Sequence, residues 1–191
     1  QVAKKINRYI RKDWSYFISF AGQLNPINKI VNIDSDVWEK SIYINGLGQL
    51  RFLNKILKKN KKKKIIFFGD SGTNGTKDNY SAYTLSKILL IKYVELLNSE
   101  EKLISSSILG PGFLETKIHN KKKIKSKKNN NIKMNKIIKF IYWFFSQPKG
   151  IVGGRNFSLI NDKWENKRII KILRKNKDIY KLRRYGNKTK V

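Results

Sequence analysis

The sequence contains no cysteine, one histidine and one methionine among its 191 residues. Without cysteine, the chain can form neither a disulfide scaffold nor a thiolate zinc site, and a cysteine nucleophile is excluded. The single histidine, His119, leaves no room for a multi-histidine metal site, so we predict no metal centre. The apolar runs are also shorter than the roughly 20 residues that a helix needs to cross a bilayer. We therefore predict no transmembrane segment.

Acidic residues are scarce as well. The chain has 13 Asp and Glu against 43 Lys and Arg, which gives a formal net charge of +30. A charge of this size is expected to attract a polyanion, either nucleic acid or an anionic membrane surface. Arg supplies only 8 of the cations, while Lys, Asn and Ile are abundant, as codon bias in an A/T-rich genome produces. This composition favours an organelle-encoded, mitochondrial protein over a plastid one.

The excess charge is concentrated towards the C-terminus. Residues 117–191 carry 24 basic and 3 acidic side chains, whereas residues 1–116 carry 19 and 10. Runs of this kind usually become ordered only on a partner. We predict that they bind RNA phosphates through the following cations: Lys121, Lys122, Lys123, Lys125, Lys127, Lys128, Lys171, Arg174, Lys175, Lys177, Lys181, Arg183 and Arg184.

Apolar strands alternate with amphipathic helices in the rest of the chain. Every residue of Ile65–Phe68 is apolar, which is typical of a strand covered on both faces of a parallel sheet. The alternation therefore predicts an α/β fold with right-handed crossovers. The predicted strands cover residues 14–20, 65–68, 103–109 and 156–160. One predicted helix ends at Asp13, and a second starts from a cap at Asp34 and holds Lys55, Lys58, Lys59 and Lys61–Lys64 at its C-terminal end. The others cover residues 80–97, 137–145 and 169–182.

The segment Tyr80–Lys87 contains Tyr83 and Lys87 at a spacing that places both side chains on one face of a helix. This Y-x-x-x-K pattern resembles the motif of the short-chain dehydrogenase/reductase family, in which the lysine makes the tyrosine a stronger acid while hydride moves to the substrate. The resemblance implies that Tyr83 and Lys87 are catalytic. It also implies that Ser71, which follows a strand, orients the substrate, although its spacing to Tyr83 is one residue short. Asn45 matches the structural and catalytic asparagine of the preceding helix.

A second part of the resemblance concerns a cofactor. The segment Gly110–Thr116 resembles the family's proline-glycine turn, which approaches the nicotinamide, so Pro111, Gly112 and Thr116 are implied to contact it. The chain departs from the family in lacking the Gly-rich turn that cradles pyrophosphate. We therefore expect no NAD(P) on this chain alone, unless a partner chain supplies the Gly-rich half.

The resemblance covers most of residues 5–162 and implies only the C-terminal half of the family's fold. We predict a partial, Rossmann-like parallel sheet with strands equivalent to the fourth to seventh, helices on both faces, and two basic additions. The predicted units are an α/β half-domain over residues 1–118, a basic insertion over 119–139, a last helix and strand over 140–162, and a basic C-terminal extension over 163–191.

One strand of this half-domain lacks its expected neighbour. The strand from Trp14 to Phe20 would pair with a strand of the missing half, and an unpaired apolar edge is an aggregation liability. We therefore predict that another polypeptide covers it, the missing nucleotide-binding half being one candidate.

Three functions remain open. The first is a structural RNA-binding protein, a mitochondrial ribosomal protein that binds rRNA and neighbouring ribosomal proteins through its basic additions. The second is the catalytic half of a split NAD(P)-dependent reductase that acts on groups similar to 3-oxoacyl groups, and the third is an accessory subunit of a mitochondrial membrane complex. The basic insertion over residues 119–139, rich in Lys and Asn, replaces the segment that would line a substrate entrance. We therefore favour the RNA-binding hypothesis, which needs no enzyme activity.

Overall fold

The computed structural model describes residues 13–57, 61–69, 73, 75–112 and 132–183. Within these ranges the chain forms four strands and six helices, in an order that alternates strand and helix. The elements are β1 (Tyr16–Ser19), a 3₁₀ turn (Ile30–Asn32), α1 (Ser35–Ile42), a π-helical turn (Tyr43–Leu47), α2 (Gly48–Ile56), β2 (Lys63–Phe68), α3 (Ser81–Glu100), β3 (Ile104–Gly110), α4 (Met134–Ser146), α5 (Lys149–Val152), β4 (Asn156–Ser158) and α6 (Lys167–Lys175).

The strands form a single sheet in the order β1-β2-β3-β4. All three pairings are parallel, with Ile18 opposite Ile66 and Ile108 opposite Asn156. Parallel neighbours need a crossover connection, and the intervening helices provide it. The predicted α/β fold with a partial, Rossmann-like parallel sheet is therefore confirmed.

Both faces of the sheet are covered by helices, because successive side chains of a strand point to opposite faces. Ile65 and Phe67 of β2 contribute to a core cluster with α2 and α3, which includes Leu53, Leu90 and Val94. Ile66 and Phe68 contribute to the opposite cluster, which is built with α4, α5 and α6. That cluster is rich in aromatic rings and contains Phe140, Phe144, Phe157, Trp164 and Leu173.

A buried lysine fixes the start of the sheet. Lys63 is fully buried at the first position of β2, and its Nζ lies 2.7 Å from Asp13 Oδ1 and donates to Trp14 O at 2.6 Å. The hydrogen bond from Lys63 lowers the pKa of the Asp13 carboxyl. A charged residue is tolerated here because both partners satisfy its donors.

Several predicted element boundaries differ from those in the structure. The helix predicted to hold Lys61–Lys64 at its C-terminal end stops at Ile56, and Lys63 and Lys64 begin β2. The last helix, predicted to reach residue 182, ends at Lys175, because the buried Arg155 guanidinium donates to the Leu173 and Asn176 carbonyls at 2.7 and 3.1 Å and to the Ile179 carbonyl. Helix α4 begins at Met134, inside the range predicted as a basic insertion. Strand β4 ends at Ser158 rather than at residue 160. The helix predicted before Asp13 lies outside the described residues, and the domain boundaries stay predictions.

The two edges of the sheet differ. At the β4 edge, the Asn156 N–H donates to the Tyr180 carbonyl at 2.7 Å, so the segment after α6 lies along this edge. At the β1 edge, no strand from the described ranges pairs with the outer side of β1, and the side chains of Tyr16 and Phe20 are 58% and 60% exposed. That another polypeptide covers this edge stays a prediction.

None of the helices in the described ranges combines the length and the apolar character that crossing a bilayer requires.

Candidate active site

The site begins with a distorted helix. The Asp34 carboxylate caps α1 by accepting from the Asp36 and Val37 N–H groups at 3.1 Å. In the π-helical turn that follows, the Gly48 N–H bonds to Tyr43 O, five residues back. Single π-helical turns inside α-helices occur frequently at functional sites. Asn45 lies in this turn.

Glycine lets this turn approach α3 closely. A Cβ atom on Gly46 would lie 3.2 Å from the Ser86 carbonyl oxygen and 3.1 Å from the Leu89 side chain. Both neighbours belong to α3, the helix that carries Tyr83 and Lys87. The absence of a side chain at Gly46 therefore brings the Asn45 turn against the helix with the predicted catalytic pair.

Asn45 holds the loop that follows β1. Its Oδ1 accepts from the Gln23 N–H at 2.7 Å, and its Nδ2 donates to the Gln23 carbonyl at 2.9 Å and to Ser41 Oγ at 3.2 Å. Gln49 Nε2 donates to the Asn45 carbonyl at 2.7 Å and to the Ala21 carbonyl at 3.1 Å. Two buried amides thus fix the backbone of residues 21–23 at the carboxyl end of β1.

Ser41 and Gln49 were missed by the sequence analysis. They lie four residues before and four residues after Asn45, so the three side chains share one stripe of the helix. All three are buried. Polar residues at this spacing on an otherwise apolar helix face could have predicted these hydrogen bonds, because buried polar groups need partners.

Tyr83 and Lys87 lie one turn apart on α3. Lys87 is 2% exposed, and its Nζ is 5.3 Å from the centroid of the Tyr83 ring. A Cβ atom on Gly22 would lie 3.4 Å from Asn45 Oδ1 and 3.9 Å from Lys87 Nζ. The structure therefore brings Asn45, Tyr83 and Lys87 together beside the end of β1. Ser71 lies outside the described residues.

The predicted cofactor turn follows β3 at the same edge of the sheet. Pro111 is buried, and Gly112 has φ of 81°, where a Cβ atom would approach Ile160 Cδ1 to 2.4 Å. Gly112 therefore admits no side chain without strain, whereas a Cβ atom on Gly22 would make only ordinary van der Waals contacts. In α/β folds this edge is where ligands bind. Thr116 lies outside the described residues.

Gly22 and the left-handed Gly112 leave backbone open at this edge, as close approach of the nicotinamide ring and ribose of a dinucleotide would require. Phe20 packs on Phe68 with 4.2 Å between ring centroids. The ring therefore lies across the ends of β1 and β2. No Gly-rich strand-to-helix turn lies within the part of the chain that the structure describes, so the pyrophosphate has no cradle there.

A cleft of about 490 Å³ opens at the carboxyl ends of β3 and β4. Thr73, Gly112 and Ile91 line one side, and Tyr180 and Leu182 of the segment after α6 line the other. Asp162 lies in this cleft, where its Oδ2 accepts from the Ser158 N–H at 2.7 Å. Burial raises the pKa of the Asp162 carboxyl.

The cations predicted to bind RNA do not form one group. Lys171, Arg174, Lys175 and Lys177 are exposed on or just after α6, and Lys181 is half-buried in the cleft. Arg183 donates to Asp178 at 3.2 Å and also to Glu95, so two carboxylates hold it. Arg183 therefore lowers the pKa of Glu95. The remaining predicted cations, Lys121, Lys122, Lys123, Lys125, Lys127, Lys128 and Arg184, lie outside the described residues.

Within the described ranges, no group of three or more acidic or histidine side chains is placed to hold a metal ion.

Two solved structures have closely similar folds. A short chain dehydrogenase from Salmonella enterica serovar Typhi superposes with a TM-score of 0.69, at 19% identity, over 83% of this chain and 67% of that one. The chain has the short-chain dehydrogenase fold. A short chain dehydrogenase from Shigella flexneri, crystallised as a complex with NADP, gives a TM-score of 0.69 at 18% identity over 84% of this chain and 68% of that one.

A curated relative agrees with this fold. The chain is 26% identical over 101 residues to the uncharacterized oxidoreductase YIR035C of Saccharomyces cerevisiae. The match covers 52% of this chain and 40% of that protein, so the chain spans less than half the length of this relative. No family model matches the chain. The predicted resemblance to the C-terminal half of the short-chain dehydrogenase/reductase family is confirmed.

The prediction of a mitochondrial ribosomal, RNA-binding protein is wrong. The relatives found are short-chain dehydrogenases and an oxidoreductase, and their fold extends over more than four fifths of this chain. The prediction inferred RNA binding from the net positive charge of the chain. Charge composition also follows codon bias, and Arg183 is held by carboxylates of the same molecule.

Proposed function

We propose that this chain provides the catalytic part of an NAD(P)-dependent short-chain reductase. The observation that carries the proposal is the convergence of Asn45, Tyr83 and the buried Lys87 beside Gly22. The short-chain dehydrogenase fold around them supports the same assignment. Other polypeptide sequence would supply the Gly-rich turn for the pyrophosphate.

The proposed reaction is the reduction of a carbonyl group to an alcohol. Bound NAD(P)H would supply the hydride that is added to the carbonyl carbon. Tyr83 donates its phenolic proton to the carbonyl oxygen, which balances the charge. The ammonium of Lys87, 5.3 Å from the ring centroid, stabilises the phenolate that remains. Lys87 is 2% exposed, so little water screens its charge.

The remaining groups hold this arrangement in place. Asn45 fixes the Gln23 backbone, which keeps Gly22 within reach of Lys87. Ser71 is assigned to orienting the substrate carbonyl. Gly22, Lys87, Pro111 and Gly112 would hold the nicotinamide and its ribose, and Thr116 is assigned to the same role.

The proposed substrates are 3-oxoacyl groups, which carry their carbonyl close to an apolar chain. The cleft beside β3 and β4 has room for such a chain, since Ile91, Phe157, Ile160 and Leu182 line it. Its volume of about 490 Å³ lies within the usual range for small-molecule sites.

The open edge of β1 gives the nucleotide-binding part a place to attach. Tyr16 and Phe20 are exposed there, and an added strand would satisfy the outer backbone groups of β1. We propose that this part of the reductase pairs with β1 and so brings the pyrophosphate cradle beside Gly22.

The test is NADPH oxidation by the protein purified together with the polypeptides that accompany it, with a 3-oxoacyl thioester as substrate. Because positioned proton transfer contributes roughly 10²–10⁴-fold, Tyr83→Phe is expected to lower kcat by at least about a hundredfold. Tyr80→Phe is the matched control, since Tyr80 lies about one turn before Tyr83, its side chain makes no cap hydrogen bond, and a Phe ring keeps the contact with Lys77. Retained activity in Tyr83→Phe, or equal losses in the two variants, would contradict the proposal.

A further inference from the structure

The outer face of α6 and its flanking turns carries almost only positive charge. Between residues 163 and 177 the single acidic side chain is Glu165. The exposed cations in this segment are Lys163, Lys167, Arg168, Lys171, Arg174, Lys175 and Lys177. None of them lies within 4.0 Å of a described carboxylate, whereas Lys61, Lys92 and Arg183 elsewhere each have one.

This arrangement costs the isolated molecule stability. Lys167, Lys171 and Lys175 are spaced four apart, so like charges are neighbours on the helix surface. Lys167 and Arg168 also lie in the first turn, where the helix dipole favours negative charge. The helix is held without opposite charges: the Asn166 side chain caps its start by accepting from Arg168 N–H at 2.8 Å, and Leu173 is buried beneath it. The cations are therefore presented outwards on a fixed element.

Helix α4 adds exposed apolar side chains on the same face of the sheet. Met134, Ile138 and Tyr142 are spaced four apart and all exposed, Tyr142 at 73%. Helices α4 and α6 pack on one core cluster, and the Trp164 ring, just before α6, lies 5.3 Å from the Phe140 ring of α4. We call the exposed side chains of α4 and of residues 163–177 the α4–α6 surface.

We infer that the α4–α6 surface binds the surface of an anionic lipid bilayer. A leaflet of anionic lipids is negative throughout, which matches residues 163–177, where seven exposed cations make no ion pair with a described residue and Glu165 is the one carboxylate. Apolar and aromatic side chains beside such cations enter the headgroup region, as in interfacial amphipathic helices. An acidic protein partner would need one continuous negative patch along α6 and apolar contacts for α4 beside it, whereas an anionic leaflet offers both over its whole surface.

Binding would place the protein on a bilayer without crossing it. This property is independent of the proposed reductase chemistry, since Tyr83, Lys87 and Asn45 do not belong to the α4–α6 surface. Each Lys or Arg near an anionic leaflet contributes about fivefold to affinity, so four cations together contribute several hundredfold.

The test is sedimentation of the full-length chain with phosphatidylcholine vesicles that do or do not contain phosphatidylserine. We expect binding only to the phosphatidylserine vesicles, and weaker binding at higher salt. The variant Lys167→Gln/Arg168→Gln/Lys171→Gln/Lys175→Gln is expected to lose at least about a hundredfold in vesicle affinity. Ile138→Ser/Tyr142→Ser tests the apolar contribution and is expected to lose a smaller factor.

The matched control removes the same charge from other faces of the molecule. Lys29, Lys40, Lys55 and Lys102 are exposed and make no ion pair with a described residue, so their fourfold change to Gln leaves net charge equal to that of the α6 variant. Equal losses in the two fourfold variants would show that total charge, not this surface, binds the vesicles, and would overturn the inference. Unchanged vesicle binding in the α6 variant would overturn it too. So would binding to polyglutamate with none to vesicles, which would instead indicate an acidic protein partner. Circular dichroism of each variant checks that the fold is intact.

Discussion

The two edge strands of the sheet, β1 and β4, differ in how their outer backbone groups are covered. At the β4 edge the chain covers its own strand, because the segment after α6 bonds to Asn156. The buried Arg155 donates to the Asn176 and Ile179 carbonyls of that segment and to the Leu173 carbonyl of α6. At the β1 edge the exposed Tyr16 and Phe20 lie beside unpaired backbone groups, as far as the described residues extend. Edge strands are usually covered or charged.

The difference teaches what the basic C-terminal segment contributes. One part of it, residues 176–183, is structural, since it closes an edge and lines a cleft. Another part, α6, presents unpaired cations outwards. The turn at the end of α6 lies between the two parts, and the hydrogen bonds from Arg155 hold this turn in place.

Arg155 is expected to show the largest effect in this comparison. Arg155→Met leaves three carbonyls at the closed edge without a donor, which should lower the free energy of unfolding by about 3–5 kcal/mol. Urea unfolding measures this loss. Arg174→Met, on the exposed side of α6, is the control, with an expected change below about 0.5 kcal/mol. Equal effects would show that Arg155 does not hold the closed edge.

Tyr180 tests the closed edge next. Its ring lies 5.4 Å from the Phe157 ring, its hydroxyl bonds to Asp162, and its φ is 61°. Tyr180→Gly should lower stability by about 1–2 kcal/mol, because the lost ring contacts outweigh the relief of the left-handed backbone. Amide hydrogen exchange at Asn156 should become faster. Tyr180→Phe keeps the ring and should change exchange much less; similar rates in the two variants would contradict this account.

The open edge should respond in association rather than in stability. Tyr16→Lys places a charge on β1 at an exposed position, so unfolding should change by no more than about 1 kcal/mol, the value of its contact with Phe145. Self-association of the isolated chain, measured by sedimentation velocity, should fall clearly. Lys40→Glu, away from the edge, is the control. Unchanged self-association of the Tyr16→Lys variant would mean that the chains do not associate through the β1 edge.

The smallest expected effect concerns pH at the start of the open strand. The pKa of Asp13 is lowered mainly by its hydrogen bond from Lys63. A carboxyl with a lowered folded pKa stabilises the fold above its unfolded pKa, and this contribution is lost as pH falls below about 4. Asp13→Asn should therefore show a slightly shallower loss of stability in acid than the unchanged chain. A steeper loss of stability in acid for Asp13→Asn would mean that the pKa of Asp13 is not lowered in the fold, and would contradict its pairing with Lys63.

Much of the fold was predictable because its signals are local. The all-apolar run Ile65–Phe68 predicted a strand covered on both faces, and the Asp34 cap predicted the start of α1. The site was predictable in part for the same reason, since Tyr83 and Lys87 are one helical turn apart. Gln49 and Ser41 required the further step of asking where buried amides find partners.

Long-range pairs could not be read from the sequence. Lys63 pairs with Asp13 across 50 residues, and Arg183 pairs with Glu95 across 88 residues. The amino-acid composition counts the charged residues of these two ion pairs but does not show which residues pair. For that reason the C-terminal cations were grouped as one RNA-binding set, although Arg183 holds the fold together and the α6 cations do not.

The π-helical turn limits how this protein can change over time. Each residue of a helix adds about 100° of rotation. The π-helical turn accommodates one residue more than the α-helical turn it replaces, so removing one residue between Tyr43 and Leu47 would leave an ordinary α-helical turn, and Asn45 would no longer meet Gln23. Exposed positions such as Tyr43 and Leu47 accept many substitutions, whereas a one-codon deletion there would dismantle the site without altering any of its named side chains.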